Sequence, residues 1–280
     1  MVKQSEKSFA SASNWLSGGR GYLVFSDIPR DELRKWTAAG GVAIFRAPSR
    51  NTNGNTTDLE GRLISCEHSG RRVSVTEKDG TVKTLADRFE GKRLNSPNDI
   101  VCQMRGPDRG SIWFTDPPFG ISGHWEGELA SPELLNAVYR ISPQGELQQV
   151  ISDLRGPNGL AFSPDERQLF IADSGFTEGP DRPRHIRVFD VHADGKTLGT
   201  SRVFATCPDG FFDGFRIDQA GRLWASCAAG VLCYSPDGRL IGRIRVPEMV
   251  ANLTFGGLAR NRLFICGTTS LYAIYLKING

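Results

Sequence analysis

Apolar positions along this chain come in short β-rich runs separated by polar turns, and no stretch sustains a helical period. The clearest unit lies between residues 93 and 120. Arg93-Leu94-Asn95-Ser96-Pro97-Asn98-Asp99 is polar and Pro-punctuated, which suits a loop entering a strand. Ile100-Val101-Cys102 is short and apolar, and Ser111-Ile112-Trp113-Phe114-Thr115-Asp116 is rich in β-formers until Pro117-Pro118 stops it. The pattern predicts a β-hairpin with a polar cluster at its entrance.

The same hairpin recurs. Asn53-Gly54 precedes Leu63-Ile64-Ser65, and Asn158-Gly159-Leu160-Ala161-Phe162 precedes Gln168-Leu169-Phe170-Ile171. Asp213-Gly214-Phe215 precedes Leu223-Trp224-Ala225, and Asn252-Leu253-Thr254-Phe255 precedes Leu263-Phe264-Ile265. The first copy runs from Ser11 into Tyr22-Leu23-Val24-Phe25. Aligned on the leucine after the turn, the copies open at Ser11, Asn53, Asn98, Asn158, Asp213 and Asn252, with gaps of 42, 45, 60, 55 and 39 residues. Short strands repeating every ~40–50 residues predict an all-β fold, a six-bladed β-propeller of about four strands per blade. Innermost strands of a propeller line its axis, so these opening residues are expected to meet there. Five of the six are Asn or Asp, a ring of oxygens suited to a hard cation or a polar substrate.

Further strands are predicted at Glu32–Trp36, Val42–Phe45, Arg72–Val75, Val82–Leu85, Val138–Ile141, Leu147–Ile151, Val231–Tyr234, Ile241–Val246 and Ser270–Leu276. Pro132-Glu133-Leu134-Leu135 suggests one helical turn at most. Residues 117 to 136 break the period and contain Phe119, His124 and Trp125. Long loops in compact domains usually carry function, so this insert reads as a lid or pocket wall, with a surface elaboration as the alternative. A second insert, Ser174 to His185, reads as a rim cap.

The repeat spans 280 residues without a Ser/Gly/Pro linker, which predicts a single domain over residues 1–280. The net charge of +3 is spread out, which argues against a nucleic-acid partner. No apolar run reaches the ~18 residues of a membrane span. The opening MVKQSEKSFASASNW lacks the apolar core of a secretory signal, so a soluble, cytoplasmic protein is expected. Six cysteines without a CxxC pair read as reduced, buried thiols; Cys207 is the least strand-like.

Several of these segments together resemble the senescence marker protein/gluconolactonase/luciferin-regenerating enzyme-like family. They are the 93–99 stretch, Trp113-Phe114-Thr115-Asp116-Pro117-Pro118-Phe119-Gly120, Pro157-Asn158-Gly159-Leu160-Ala161-Phe162-Ser163-Pro164-Asp165-Glu166, Asp213-Gly214-Phe215 and Cys66-Glu67-His68. The resemblance implies hydrolysis of a small-molecule lactone or related ester and one divalent cation near the top of the channel. Ca²⁺ is the expected ion, with Zn²⁺ or Mg²⁺ as alternatives. It also implies metal ligands at Asn98, Asn158 and Asp213. The family's fourth ligand, a Glu in blade one, is replaced: Phe9-Ala10-Ser11-Ala12-Ser13-Asn14-Trp15 keeps the flanking aromatics and puts Ser11 in its place. Affinity for Ca²⁺ follows the charge of its ligands, so Asp213 as the one remaining carboxylate predicts a weakened site. Zn²⁺ is worse served, because no His or Cys ligand is offered.

In this scheme Asp213 is ligand and general base, and His68 an acid/base group or donor. Arg93, Asn95, Asn53 and Glu67 are expected to hold substrate. The bland alternatives are a buried, satisfied His68 and turn or capping roles for Asn98, Asn158 and Asp213. Asp116 and Asp173 read as turn residues. Two competing functions stay open: a metal-independent isomerase, cyclase or lyase using Asp213 and His68, and a binding propeller without activity.

Overall fold

The computed structural model describes residues 2–3, 10–16 and 21–280, with side chains from residue 21 onward. Six four-stranded antiparallel sheets form the blades of a propeller. Blade one is Ala10–Leu16, Tyr22–Asp27, Glu32–Thr37 and Gly41–Arg46. Blade two is Thr52–Thr57, Leu63–Glu67, Arg72–Thr76 and Val82–Ala86. Blade three is Ile100–Cys102, Ile112–Asp116, Ala137–Ile141 and Leu147–Ile151. Blade four is Pro157–Phe162, Gln168–Asp173, His185–Asp190 and Arg202–Thr206. Blade five is Phe215–Ile217, Leu223–Cys227, Gly230–Tyr234 and Leu240–Ile244.

Blade six takes Val250–Gly256, Arg262–Gly267 and Ser270–Tyr275 from the end of the chain and Val2–Lys3 from its start. Val2 pairs with Leu271 and Lys3 with Ser270, antiparallel. A segment too polar to announce itself as a strand thus closes the ring through backbone hydrogen bonds, which need no apolar side chain. Among the described residues the remaining regular elements are a two-stranded ribbon, Arg88–Phe89 with Lys92–Arg93, and short 3₁₀ turns at Ile28–Arg30, Phe119–Ile121 and Gly175–Glu178. Residues 132–135 form no helical turn. Among the described residues no helix is long and apolar enough to cross a membrane.

Each blade packs on two neighbours, so both of its faces are buried. This explains why the second strands read as continuous apolar runs rather than alternating ones. In blade three, Ile112 and Phe114 face blade two, where Ile64, Cys66 and Val75 lie, while Trp113 turns to Leu160, Phe162 and Ile171 of blade four. Equivalent apolar clusters fill the other junctions. All six cysteines are buried and none is in a disulfide. Cys207 lies just after Arg202–Thr206 and its thiol reaches the Asp209 carbonyl at 3.2 Å.

Candidate active site

The innermost strands are not regular. Their pairing slips between Thr52 and Asn55, between Pro157 and Leu160, between Val250 and Asn252, and between Ser11 and Ser13. A β-bulge turns its extra residue out of the ladder and re-aims the side chain. Here the bulges direct Asn53 and Asn158 to the propeller axis. Asn98 and Asp213 sit just ahead of their strands and are held by backbone bonds instead, from Asn98 N to Thr115 O at 2.8 Å and from Asp213 N to Ser226 O at 3.3 Å.

The glycine that follows Asn53, Asn158 and Asp213 has a packing cause. A Cβ on Gly54 would strike the Asn98 carbonyl, one on Gly159 the Asp213 carbonyl, and one on Gly214 the Asn252 amide. None of the three has positive φ. Neighbouring blades approach too closely at the axis for any side chain, which is a different requirement from a turn.

One cavity of ≈ 220 Å³ lies where these residues meet. Asn53, Asn98, Asn158, Asp213, Glu126 and Thr177 supply its polar lining, and Ile28, Phe119, Phe211, Met249 and Ala251 its apolar lining. Asn98 is 5 % exposed, and among the described residues nothing pairs with its side-chain amide. It therefore caps no backbone group. A wider groove of ≈ 720 Å³ runs past Arg105, Asp165 and Glu166, away from the axis. Its Glu166 carboxylate is committed to the backbone N–H groups of Met104 and Arg105 at 2.8 Å each, so it offers less free chemistry.

The other sequence-predicted residues fall in three places. Ser11 occupies the bulge register equivalent to Asn53: Ala10 opposes Asp27 as Thr52 opposes Glu67, and Ser13 opposes Phe25 as Asn55 opposes Ser65. Its side chain lies outside the described residues. Asn252 is one position too deep, and Ala251 is the axial residue of blade six. The Asn252 Oδ1 accepts the Leu253 N–H at 2.8 Å, as the Asp99 Oδ1 accepts the Ile100 N–H at 2.9 Å, so Asn252 corresponds to Asp99 rather than Asn98.

His68, Glu67, Arg93 and Asn95 do not line the cavity. Glu67 is buried against Arg72 at 2.6 Å, Arg46 at 3.4 Å and the Ser74 hydroxyl at 2.6 Å. Arg93 and Asn95 hold the 117–136 insert. The Arg93 N–H donates to Glu133 Oε2 at 2.9 Å. Asn95 Oδ1 accepts the backbone N–H groups of Glu133 and Leu134, and its Nδ2 donates to the Leu134 carbonyl at 3.1 Å. Ser96 completes the anchor by accepting the Gly120 N–H at 3.0 Å.

His68 lies behind the cavity wall with 0 % exposure. Its Nδ1 faces the Glu126 carbonyl at 2.9 Å and must donate there, so its Nε2 accepts from Asn53 Nδ2 at 3.1 Å. Burial pushes its pKa down to about 4, and the carbonyl bond offsets only part of this. A neutral imidazole with both nitrogens engaged is placed to orient Asn53 and the insert, and it does not line the cavity.

Glu126 was not singled out by the sequence. It enters from the insert, between Trp125 and Gly127, while His124 and Trp125 stay exposed. Burial pushes the Glu126 carboxyl up to about 7. Burial raises Asp213 well above the usual carboxylate range, and the nearby charges of Glu126 and Asp99 add to this against a hydrogen bond from Asn158. Asp99, deeper in the channel, is also raised by burial, with Arg216 opposing.

Asp116 and Asp173 serve the loops. Asp173 accepts backbone N–H groups of Arg155 and Gly156, and Asp116 that of Asn95 at 2.7 Å. Burial pushes Asp116 up to about 7. Its folded pKa is therefore above its unfolded value, so its neutral form is the one that favours folding. The stability it contributes is present below pH ~4 and is lost as pH rises towards 7, by roughly 1 kcal/mol per pH unit. Urea unfolding of the wild type and Asp116→Asn at pH 5 and 6.5 should show the wild type losing ground to the variant at the higher pH.

Residues 11–269 match the model of the SMP-30/gluconolactonase/LRE-like region. A gluconolactonase from Zymomonas mobilis is 30% identical, with 100% of this chain and 82% of that protein aligned. A solved gluconolactonase from Xanthomonas campestris superposes with a TM-score of 0.88 at 37% identity, covering 98% of this chain and 88% of that one. The pentonolactonase of Haloferax volcanii is 27% identical over 87% of this chain and 76% of its own. A match of this extent, on a propeller whose aligned blades bring Asn98, Asn158 and Asp213 to one cavity, makes the chain a member of the SMP-30/gluconolactonase/LRE-like family.

Proposed function

We propose that the protein hydrolyses a sugar-type lactone in the axial cavity, with a divalent cation bound by Asn98, Asn158 and Asp213. The observation that carries this reading is the convergence of Asn53, Asn98, Asn158 and Asp213 on one cavity of ≈ 220 Å³. That volume is below the roughly 300–1,000 Å³ of pockets for larger ligands, which suits one small ring. Relatives named for lactone hydrolysis favour the substrate class.

The donor set fits a hard cation. Carboxylate and amide oxygens line the cavity, with no His or Cys among the described lining residues, which favours Ca²⁺ over Zn²⁺. Among the described lining residues no Lys or Arg neutralises the carboxylates. When bound, a divalent cation polarises the lactone carbonyl and stabilises the charge that develops on its oxygen.

The chain's own groups do the rest. Asp213, on the cavity wall, accepts a proton from the attacking water. The Asn53 amide, fixed by neutral His68, and Thr177 hold substrate hydroxyls. Phe119, Phe211 and Met249 cover the ring and exclude water. The metal-independent alternative drew on His68 as partner to Asp213; His68 stands outside the cavity, behind Asn53, which favours the cation-assisted reading.

Hydrolysis of D-glucono-1,5-lactone and a pentonolactone, followed by acid release, tests the reading. Activity should disappear with chelator and return with excess Ca²⁺. Full activity in chelator would remove the cation from the scheme, and inertness towards every sugar lactone would remove the substrate class.

A further inference from the structure

We propose that Glu126 is the second anionic ligand of the axial cation, supplied by the 117–136 insert in place of the glutamate that blade one lacks. This rests on the cation reading above.

The blades leave the site one carboxylate short. Blade one has Ser11 at its axial register and blade six has Ala251, so Asp213 is the one acidic side chain that the blades' axial positions provide. Glu126 restores the charge from outside the repeat. It lines the same cavity as Asp213. Two carboxylates that line one cavity, without a Lys or Arg among its described lining residues, repel unless one holds a proton or a cation sits between them.

The insert is built to hold that side chain. The Glu126 carbonyl is pinned by His68 Nδ1 at 2.9 Å. Gly127 lies so close to the Gly120 carbonyl that no Cβ fits, and Gly120 in turn lies against the His68 ring. Ser96 fixes the Gly120 N–H at 3.0 Å and reaches the Pro117 carbonyl at 2.6 Å. A loop meant only to cover a pocket would not need its backbone locked at the one residue whose carboxylate enters it. The Asn98 amide, 5 % exposed and without a protein partner among the described residues, faces the same space and offers the cation a further oxygen.

Calorimetric titration of chelator-stripped protein with Ca²⁺, paired with melting temperatures with and without Ca²⁺, tests this. The wild type should bind one Ca²⁺ per chain. Glu126→Gln should bind at least about tenfold more weakly and lose most of the Ca²⁺-induced rise in Tm, because ligand charge sets Ca²⁺ affinity. Without metal its Tm should match or exceed that of the wild type, which separates ligand loss from misfolding. Glu128→Gln, at an exposed neighbour, should behave as wild type. Adding Ser11→Glu to Glu126→Gln should recover affinity by returning the carboxylate to blade one. Ca²⁺ binding by Glu126→Gln within twofold of wild type would overturn the role of Glu126 and leave the cation site standing. A wild type that hydrolyses lactones but binds no divalent ion would overturn both readings.

Discussion

Asp213→Asn is expected to lower kcat/KM for sugar-lactone hydrolysis by roughly 10³-fold while leaving the metal-free protein as stable as the wild type, or more so. Two losses combine in the rate. The amide cannot accept a proton from water, and general-base groups contribute about 10²–10⁴-fold. It also removes the axial blade carboxylate, so cation affinity should fall together with the rate. The stability follows from the sign of the pKa shift. Asp213 is raised well above the usual range by burial and by the charges of Glu126 and Asp99, so its ionised form opposes folding without a cation. An isosteric amide removes that opposition. Residual activity within tenfold of wild type would dismiss Asp213 as base and ligand at once. A collapse in Tm would mean that the residue holds the fold rather than the chemistry.

The fold was legible because the hairpin repeats carry their own alignment mark. Leu23, Leu63, Leu169, Leu223 and Leu263 each follow a turn and are each buried between blades, so the core enforces a periodic residue. The axial ring was legible through the same mark, since Asn53, Asn158 and Asp213 stand 10 or 11 residues before it, and Asn98 opens the hairpin whose second strand starts at Ile112. Blade six deceived because its bulge takes up one residue, Ala251, that has no polar signature, while Asn252 beside it looks like a ring member. Arg93 and Asn95 deceived in another way. Their side chains bond backbone carbonyls and N–H groups instead: the Arg93 guanidinium reaches the Gly70 carbonyl, and Asn95 satisfies both N–H and C=O groups of the insert. A sequence cannot separate a side chain that binds substrate from one that binds backbone. Glu126 lies in a segment without period, so no alignment could place it. The one local hint is the glycine at 127, which marks a close approach only once the Gly120 carbonyl is seen beside it.

The dependence of the cavity on that insert gives the second large effect: Gly120→Ala should cost stability and most of the activity together. Gly120 has no positive φ, so alanine suits its backbone and the change acts through sterics alone. The added methyl would overlap His68 at its Cβ and at ring atoms Cγ and Nδ1. His68 cannot yield, because it is fully buried and bonded at both nitrogens. The insert must move instead, drawing Phe119 and Glu126 out of the cavity and releasing the Asn53 amide from its fixed orientation. Overpacking of this kind costs about 1–3 kcal/mol. Misplacement of binding groups by about 1 Å can cost ~10²-fold in rate. The control lies in the same loop: a Cβ on Gly123 meets nothing within 4 Å, so Gly123→Ala should match the wild type. Steady-state kinetics, Tm and limited proteolysis of the 117–136 segment would be measured on both variants. Gly120→Ala should show faster cleavage there and weaker Ca²⁺ binding. If its activity and Ca²⁺ affinity match those of Gly123→Ala, the insert is a cover that the chemistry does not depend on, and Glu126 has no claim on the site.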